Sequence, residues 1–192
     1  MTQKIQLIVG LGNPGGQYEN TRHNAGFWFV DQLAKVNSSS FKADKKYHGD
    51  ICELNLGGEK VRLLKPMTFM NRSGQAVAGL ANFFKIPPES ILVAHDELDF
   101  PVGKTRLKLG GGHGGHNGLR DIIAKLGNKQ FMRLRIGIDH PGSSDQVTGY
   151  VLGKPPQKEA EIIHQSLDNA VSICKLLAAG DIQNATQTLH RD

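Results

Sequence analysis

The apolar run Ile5 to Val9 stops at Gly10-Leu11-Gly12-Asn13-Pro14-Gly15, and a second apolar-rich stretch runs from Ala25 to Val36. Between them, Asn13 to His23 gathers polar groups where a strand would end and a helix begin. Phe27, Val30, Leu33 and Ala34 recur at helical spacing, so the order reads strand, loop, helix. In open α/β sheets, ligands bind in the crevice beyond the carboxyl ends of the strands. A histidine in such a loop is well placed for proton transfer. The glycines formally satisfy GxGxxG, but a dinucleotide fingerprint must open the helix directly and carry an acid about 20 positions on, after a second strand. Here Pro14 and two glycines, Gly15 and Gly16, prolong the loop, and Asp31 falls inside the helical pattern. A dinucleotide site is therefore not expected.

The same alternation of signals continues along the chain. Asp50 to Leu56 and Glu59 to Lys65 flank Gly57-Gly58, a tight hairpin signal. A helix is expected from about Asn71 to Lys85, closed by Pro87-Pro88, and then a strand over Ile91 to Ala94 with His95-Asp96-Glu97-Leu98-Asp99 at its exit. Thr105 to Leu109 alternates apolar and basic residues, as a strand with one buried face does. Gly110 to Gly118, with Asn117 at its end, lacks the Lys-Ser/Thr of a phosphate-binding P-loop. Leu119 to Leu126 reads as a short helix, and Phe131 to Ile138 as a last strand with Arg133 and Arg135 on one side. After Pro155-Pro156, the apolar positions from Ile163 to Ala178 mark one helix closed by Gly180, followed by a short amphipathic tail. The 192 residues suffice for one full core. The expectation is one α/β domain over residues 1–192, a twisted mixed β-sheet flanked by helices.

Charge narrows the partner. Pro101 to Ile138 holds eight basic residues against Asp121 alone, a net +7, which leaves −2 on the rest of a chain whose total is +5. A single-sign field of this kind attracts a polyanion, although a solvated face of a basic protein would look the same. No apolar run approaches the roughly 18 residues of a membrane span. Cys52 and Cys174 have no CxxC spacing, and the N-terminal apolar run is too short for a signal peptide, so a cytoplasmic setting is expected.

The polar side chains collected at strand exits suit ester hydrolysis. That reaction needs a base to activate water, a group to orient the base, and donors for the developing oxyanion. Histidine is the natural base near neutrality, a carboxylate its usual orienting partner, and asparagine amides supply donors and acceptors. His23, Asp96, Asn13, Asn71 and Asn117 are the groups of these types at the strand exits and loop end. Taken singly, each has an ordinary reading: a loop histidine, a capping aspartate, a turn asparagine before Pro14 and a helix-capping Asn71. Met67 and Met70 suit a pocket wall or core. Three rival chemistries are open. A metal site would draw on His95, Asp96, His113 and His116, although HxxH across glycines is a flexible ligand pair and HExxH is absent. A non-catalytic RNA-binding protein would use the basic segment alone. A nucleophile at Ser73 has no histidine at a telling spacing.

Gly10-Leu11-Gly12-Asn13-Pro14-Gly15 with Tyr18, Thr21-Arg22-His23-Asn24 and Gly26-Phe27 resembles the opening signature of the bacterial-type peptidyl-tRNA hydrolase family. Lys65 to Gly74, His95 to Asp99, Gly114 to Leu119, and Arg133 to Ile138 with Pro141-Gly142 resemble the family's later signatures, in the same order. The resemblance spans about Ile5 to Gly153. It implies cleavage of the ester between a peptide and the 3′-terminal ribose of tRNA, with peptidyl-tRNA as partner through its acceptor stem and 3′ end. It further implies His23 as general base, Asp96 as its orienting partner, and Asn13 in the catalytic set. Asn71 and Asn117 would bind the 3′ end and peptide backbone, with Tyr18, Phe69 and Met70 nearby. Phosphates are assigned to Lys108, Arg133 and Arg135 from their charge. No metal, cofactor, membrane or obligate protein partner is expected. The resemblance gives no role to His113.

Overall fold

The computed structural model describes residues 3–191. Strand β1 (Leu7–Gly10) is buried along its whole length because it lies inside a seven-stranded sheet ordered β2-β3-β4-β1-β5-β7-β6. The other strands are β2 (Lys42–Asp44), β3 (Gly49–Leu56), β4 (Glu59–Pro66), β5 (Ile91–Glu97), β6 (Thr105–Leu109) and β7 (Met132–Gly137). β4, β1, β5 and β7 run parallel, while β2, β3 and β6 pair antiparallel at the two margins. The sheet is therefore mixed, as expected. Gly57 and Gly58 turn β3 into β4 with φ of 61° and 91°, the positive pair that a two-residue turn matching strand twist requires.

Helices cover both faces. On one side α1 (Ala25–Val36), α5 (Gln157–Ser172), α6 (Cys174–Ala179) and α7 (Ile182–Leu189) pack Phe29, Leu33, Leu167 and Leu177 over Ile8, Leu63 and Leu92. On the other, α2 (Ser73–Phe84) and α3 (Asn117–Leu126) pack Val77, Leu80 and Ile122 over Leu7, Val9 and Val93. The alternation Leu7, Ile8, Val9 between the two cores follows from the two-residue period of a strand. A further short helix, α4 (Val147–Val151), lies beyond the end of β7. Among the described residues no helix is long and apolar enough to cross a membrane.

Several boundaries differ from the sequence reading. β5 does not stop at Ala94: parallel pairing of Leu92 to Glu97 with Met132 to Gly137 keeps His95 and Asp96 in the strand. α2 begins at Ser73, after a 3-10 turn over Met70–Arg72. Asn117 opens α3 rather than ending the loop. The C-terminal helix is two helices meeting at Ile173, and the edge strand β2 had no signal in its three mostly exposed residues.

The opening glycines serve packing, not phosphate. A Cβ on Gly26 would lie 2.3 Å from Ala94 O and 2.4 Å from Leu11 N, and one on Gly10 would lie 2.3 Å from Gly26 O. α1 thus presses its first turn onto the ends of β1 and β5, which brings the turn carrying His23 over β5. Gly26→Ala must push the helix off the sheet. It is expected to lower the unfolding free energy by about 1–3 kcal/mol; an unchanged urea midpoint would contradict this packing.

Candidate active site

The carboxyl ends of the four parallel strands open into one cleft of about 900 Å³. β1 delivers Asn13, β4 delivers Phe69, Met70 and Asn71, and β5 delivers His95 and Asp96. The loop after β6 and the start of α3 deliver His116 and Asn117, and α4 forms a wall.

Asp96 lies at the centre, buried and accepting two charge-assisted hydrogen bonds. His23 Nδ1 lies 2.9 Å from Oδ2, and His116 Nε2 lies 2.8 Å from Oδ1. The His116 tautomer follows from its other nitrogen. His116 caps α3, and its Nδ1 accepts from the Gly118 and Leu119 amides at 3.1 and 3.4 Å. The ring proton therefore sits on Nε2 and is donated to Asp96. His23 likewise donates from Nδ1, which leaves its Nε2 to accept a proton.

The electrostatics agree. Burial alone would make the Asp96 carboxyl harder to ionise, yet the His23 and His116 charges and hydrogen bonds hold it far below the usual carboxylate range. Burial pulls the His23 imidazole down, but the Asp96 charge and hydrogen bond outweigh this and leave it above the ordinary histidine value. His95, beneath them, is lowered to about 4 by burial and by His116, so it stays neutral. Its Nδ1 donates to Asp96 O at 2.9 Å.

Asn13 is held on three sides. Its side-chain Oδ1 accepts from the Met70 amide at 2.7 Å, its own amide donates to Asn24 Oδ1 at 2.8 Å, and its carbonyl accepts from Asn24 Nδ2 at 3.0 Å. Because a backbone N–H can only meet the oxygen, the orientation of the Asn13 amide is fixed. Nδ2 is the end left for the cleft.

Asn71 and Asn117 are exposed on the rim, Met70 is buried in the floor, and Phe69 is 59% exposed. Tyr18 does not line the cleft; its ring stands edge-on to Phe69, centroids 6.3 Å apart. The basic residues divide sharply. Lys108 is exposed at the cleft. Arg135 carries Glu97 as a counter-ion, Nε to Oε1 2.8 Å. Arg133, for which a phosphate contact was expected, lines the cleft but has its Nη atoms engaged within the chain. It is buried, its Nη1 donates to Gly112 O at 2.5 Å, and its Nη2 donates to Gly111 O at 2.6 Å and Lys129 O at 3.1 Å. It is a strut for the glycine-rich loop.

Two members of the site were not singled out by sequence reasoning. His116 was weighed only as a metal ligand, and Asn24 only as part of a signature. Ser73 is excluded as a nucleophile by its surroundings: it is fully buried, and its hydroxyl donates to Met70 O at 2.7 Å. The four proposed metal ligands do not converge. His113 Nδ1 accepts from the Gly115 amide at 3.0 Å instead. His23, Asp96 and His116 do offer ligand atoms within 4.8 Å of one another, but a cation there would have to displace both histidine bonds to Asp96.

Comparison with known proteins identifies the family. The family described as Peptidyl-tRNA hydrolase matches residues 7–192. A peptidyl-tRNA hydrolase from Tolumonas auensis is 58% identical over 191 residues, covering 99% of this chain and 97% of its own. Another, from Shewanella oneidensis, is 58% identical over 188 residues, with 97% and 96% covered. The crystal structure of peptidyl-tRNA hydrolase from Acinetobacter baumannii superposes with a TM-score of 0.95 at 53% identity, covering 98% of this chain and 96% of that one. On a matching fold, near-complete coverage and this identity, the chain belongs to the peptidyl-tRNA hydrolase family.

Proposed function

We propose that the chain hydrolyses the ester joining a peptide, or an N-blocked aminoacyl group, to the 3′-terminal ribose of tRNA, releasing free tRNA and peptide. The observation that carries this reading is the buried Asp96 holding His23 by Nδ1, with Nε2 turned to a cleft that Asn13 also lines. His23 Nε2 takes a proton from water as the water oxygen bonds to the ester carbonyl carbon. The carbonyl oxygen becomes an oxyanion, and Asn13 Nδ2 donates to it. Collapse breaks the bond to the ribose 3′-oxygen, which leaves with the proton held on His23. Asp96 stabilises the imidazolium that exists between the two transfers.

Around this centre, Asn71 and Asn117 bind the peptide backbone and 3′ end from the rim. The exposed Phe69 ring, braced by Tyr18, offers a face on which a single-stranded base can stack. Met70 supports Asn13 from below. Lys108 meets a phosphate, with Arg135 adding charge beside Glu97. Lys108→Ala is expected to weaken tRNA binding and reduce its salt slope by about one; an unchanged slope in a binding titration would remove Lys108 from the phosphate contacts.

No metal enters this mechanism, and the chain acts as one cytoplasmic domain without an obligate protein partner. Hydrolysis of N-blocked against free aminoacyl-tRNA, after chelation, tests the reading. Turnover of the blocked substrate is expected to persist and to exceed that of the free one. Loss on chelation, restored by zinc, would favour a metal at His23, Asp96 and His116. Binding of tRNA without cleavage would favour a non-catalytic RNA-binding protein.

A further inference from the structure

The geometry points to Arg22 as a positioning residue that ties the cleft wall to the turn carrying the base, an inference that rests on the hydrolytic reading above. Arg22 directly precedes His23 in the 3-10 turn Arg22–Asn24. Its Nη1 donates to Tyr150 O at 2.9 Å, and its guanidinium carbon stands 3.9 Å from the centroid of the Tyr150 ring. Its backbone amide donates to Gly153 O at 3.0 Å. Tyr150 in turn donates its hydroxyl to Ile138 O at 2.6 Å, just past the end of β7. The wall helix α4 is thus hung between the sheet and the turn that carries His23.

The wall needs such a tether. α4 has five residues, too few to hold a helix by its own hydrogen bonds. The segment leading to it, Gly142 to Gln146, is exposed throughout, and only Val147, Tyr150 and Val151 of the helix reach the core. Yet Val147, Thr148, Val151 and Leu152 line the cleft that also contains His23. Among the described residues no carboxylate is ion-paired with Arg22. A carbonyl and a ring face hold its charge, a sterically defined pairing that suits a planar guanidinium. Base and wall therefore move together, and the substrate is held between them at a fixed separation.

Arg22→Met removes the planar cation and keeps the apolar stem. Tyr150→Phe keeps the ring and removes the hydroxyl, with its bond to Ile138 and its interaction with Arg22. In Arg22→Met, the amides of Thr148 to Gly153 are expected to exchange hydrogen at least about tenfold faster, with α1 and α2 unchanged. Its kcat/KM is expected to fall about tenfold because the substrate is mispositioned. The midpoint of the acid limb should stay in place because the His23–Asp96 bond is untouched. Tyr150→Phe should fall between Arg22→Met and the parent chain. Arg22→Lys, which keeps a cation over the ring, should recover part of the loss and serves if the methionine variant fails to fold. Unchanged α4 exchange would overturn the tether, and faster exchange with full activity would overturn its role in positioning. A loss seen instead in the salt slope of tRNA binding would make Arg22 a phosphate contact. The exchange measurement uses no substrate, so it is separable from failure of the parent chain to cleave N-acylaminoacyl-tRNA.

Discussion

Replacing His23 by alanine is expected to lower kcat/KM on an N-acylaminoacyl-tRNA by about 10²- to 10⁴-fold, roughly 3–5 kcal/mol of transition-state stabilisation, while leaving tRNA affinity nearly intact. The separation arises because His23 is the residue proposed to take the proton from water, whereas those proposed to hold the nucleic acid, Lys108, Phe69 and Asn117, stand elsewhere around the cleft. The side chain is mostly buried and its Nδ1 is engaged with Asp96. Its loss therefore removes the base and leaves the Asp96 charge with His116 alone. Single-turnover hydrolysis and equilibrium tRNA binding measure the two quantities apart. A variant that turns over at near-parental rate would exclude His23 as the base.

Asp96→Asn should have a comparable effect for a different reason. The carboxylate accepts from two N–H donors at once, His23 Nδ1 and His116 Nε2. An amide offers one oxygen and one NH₂, so it faces one of the two histidines donor to donor. The His116 proton is fixed by the helix amides on its Nδ1, so the conflict disturbs His23 or breaks the cap of α3. A rate loss of about 10²- to 10⁴-fold is expected, as for other catalytic histidines that lose an orienting carboxylate. The pH profile carries the sign. Asp96 raises the His23 pKa and burial lowers it. Removing the carboxylate leaves burial in control, so the acid limb moves to lower pH even as the rate falls. A limb unchanged in position, or moved upward, would contradict Asp96 as the source of the shift.

The legible part of the fold was the part with strong local signals. The Ile5 to Val9 run, the helical spacing after Ala25 and the Gly57-Gly58 turn each correspond to an element of the structure. What failed locally was decided by partners far along the chain. His95, Asp96 and Glu97 have low strand propensity, yet β7 draws them into β5. Strand alternation placed Arg133 and Arg135 on one side but could not show that three carbonyls surround the first and Glu97 meets the second. The site was legible through its motifs, which named Asn13, His23, Asp96, Asn71 and Asn117 without showing that they converge. His116 was weighed only as a metal ligand because its place beside Asp96 depends on two hydrogen bonds made at once, a helix cap on one nitrogen and Asp96 on the other. The opening glycines, which formally satisfy GxGxxG but were not expected to hold a dinucleotide, are the contact through which α1 reaches the sheet.

The central claim is that His23, oriented and raised by Asp96, is the base. The most direct test is a titration of the histidine ring nitrogens by ¹⁵N NMR, set beside the pH dependence of kcat/KM for N-acylaminoacyl-tRNA. His23 is expected to carry its proton on Nδ1 when neutral, to titrate above the ordinary 6.5, and to share its midpoint with the acid limb of the rate. A His23 that titrates at or below 6.5, or a rate limb that follows another group, would contradict it.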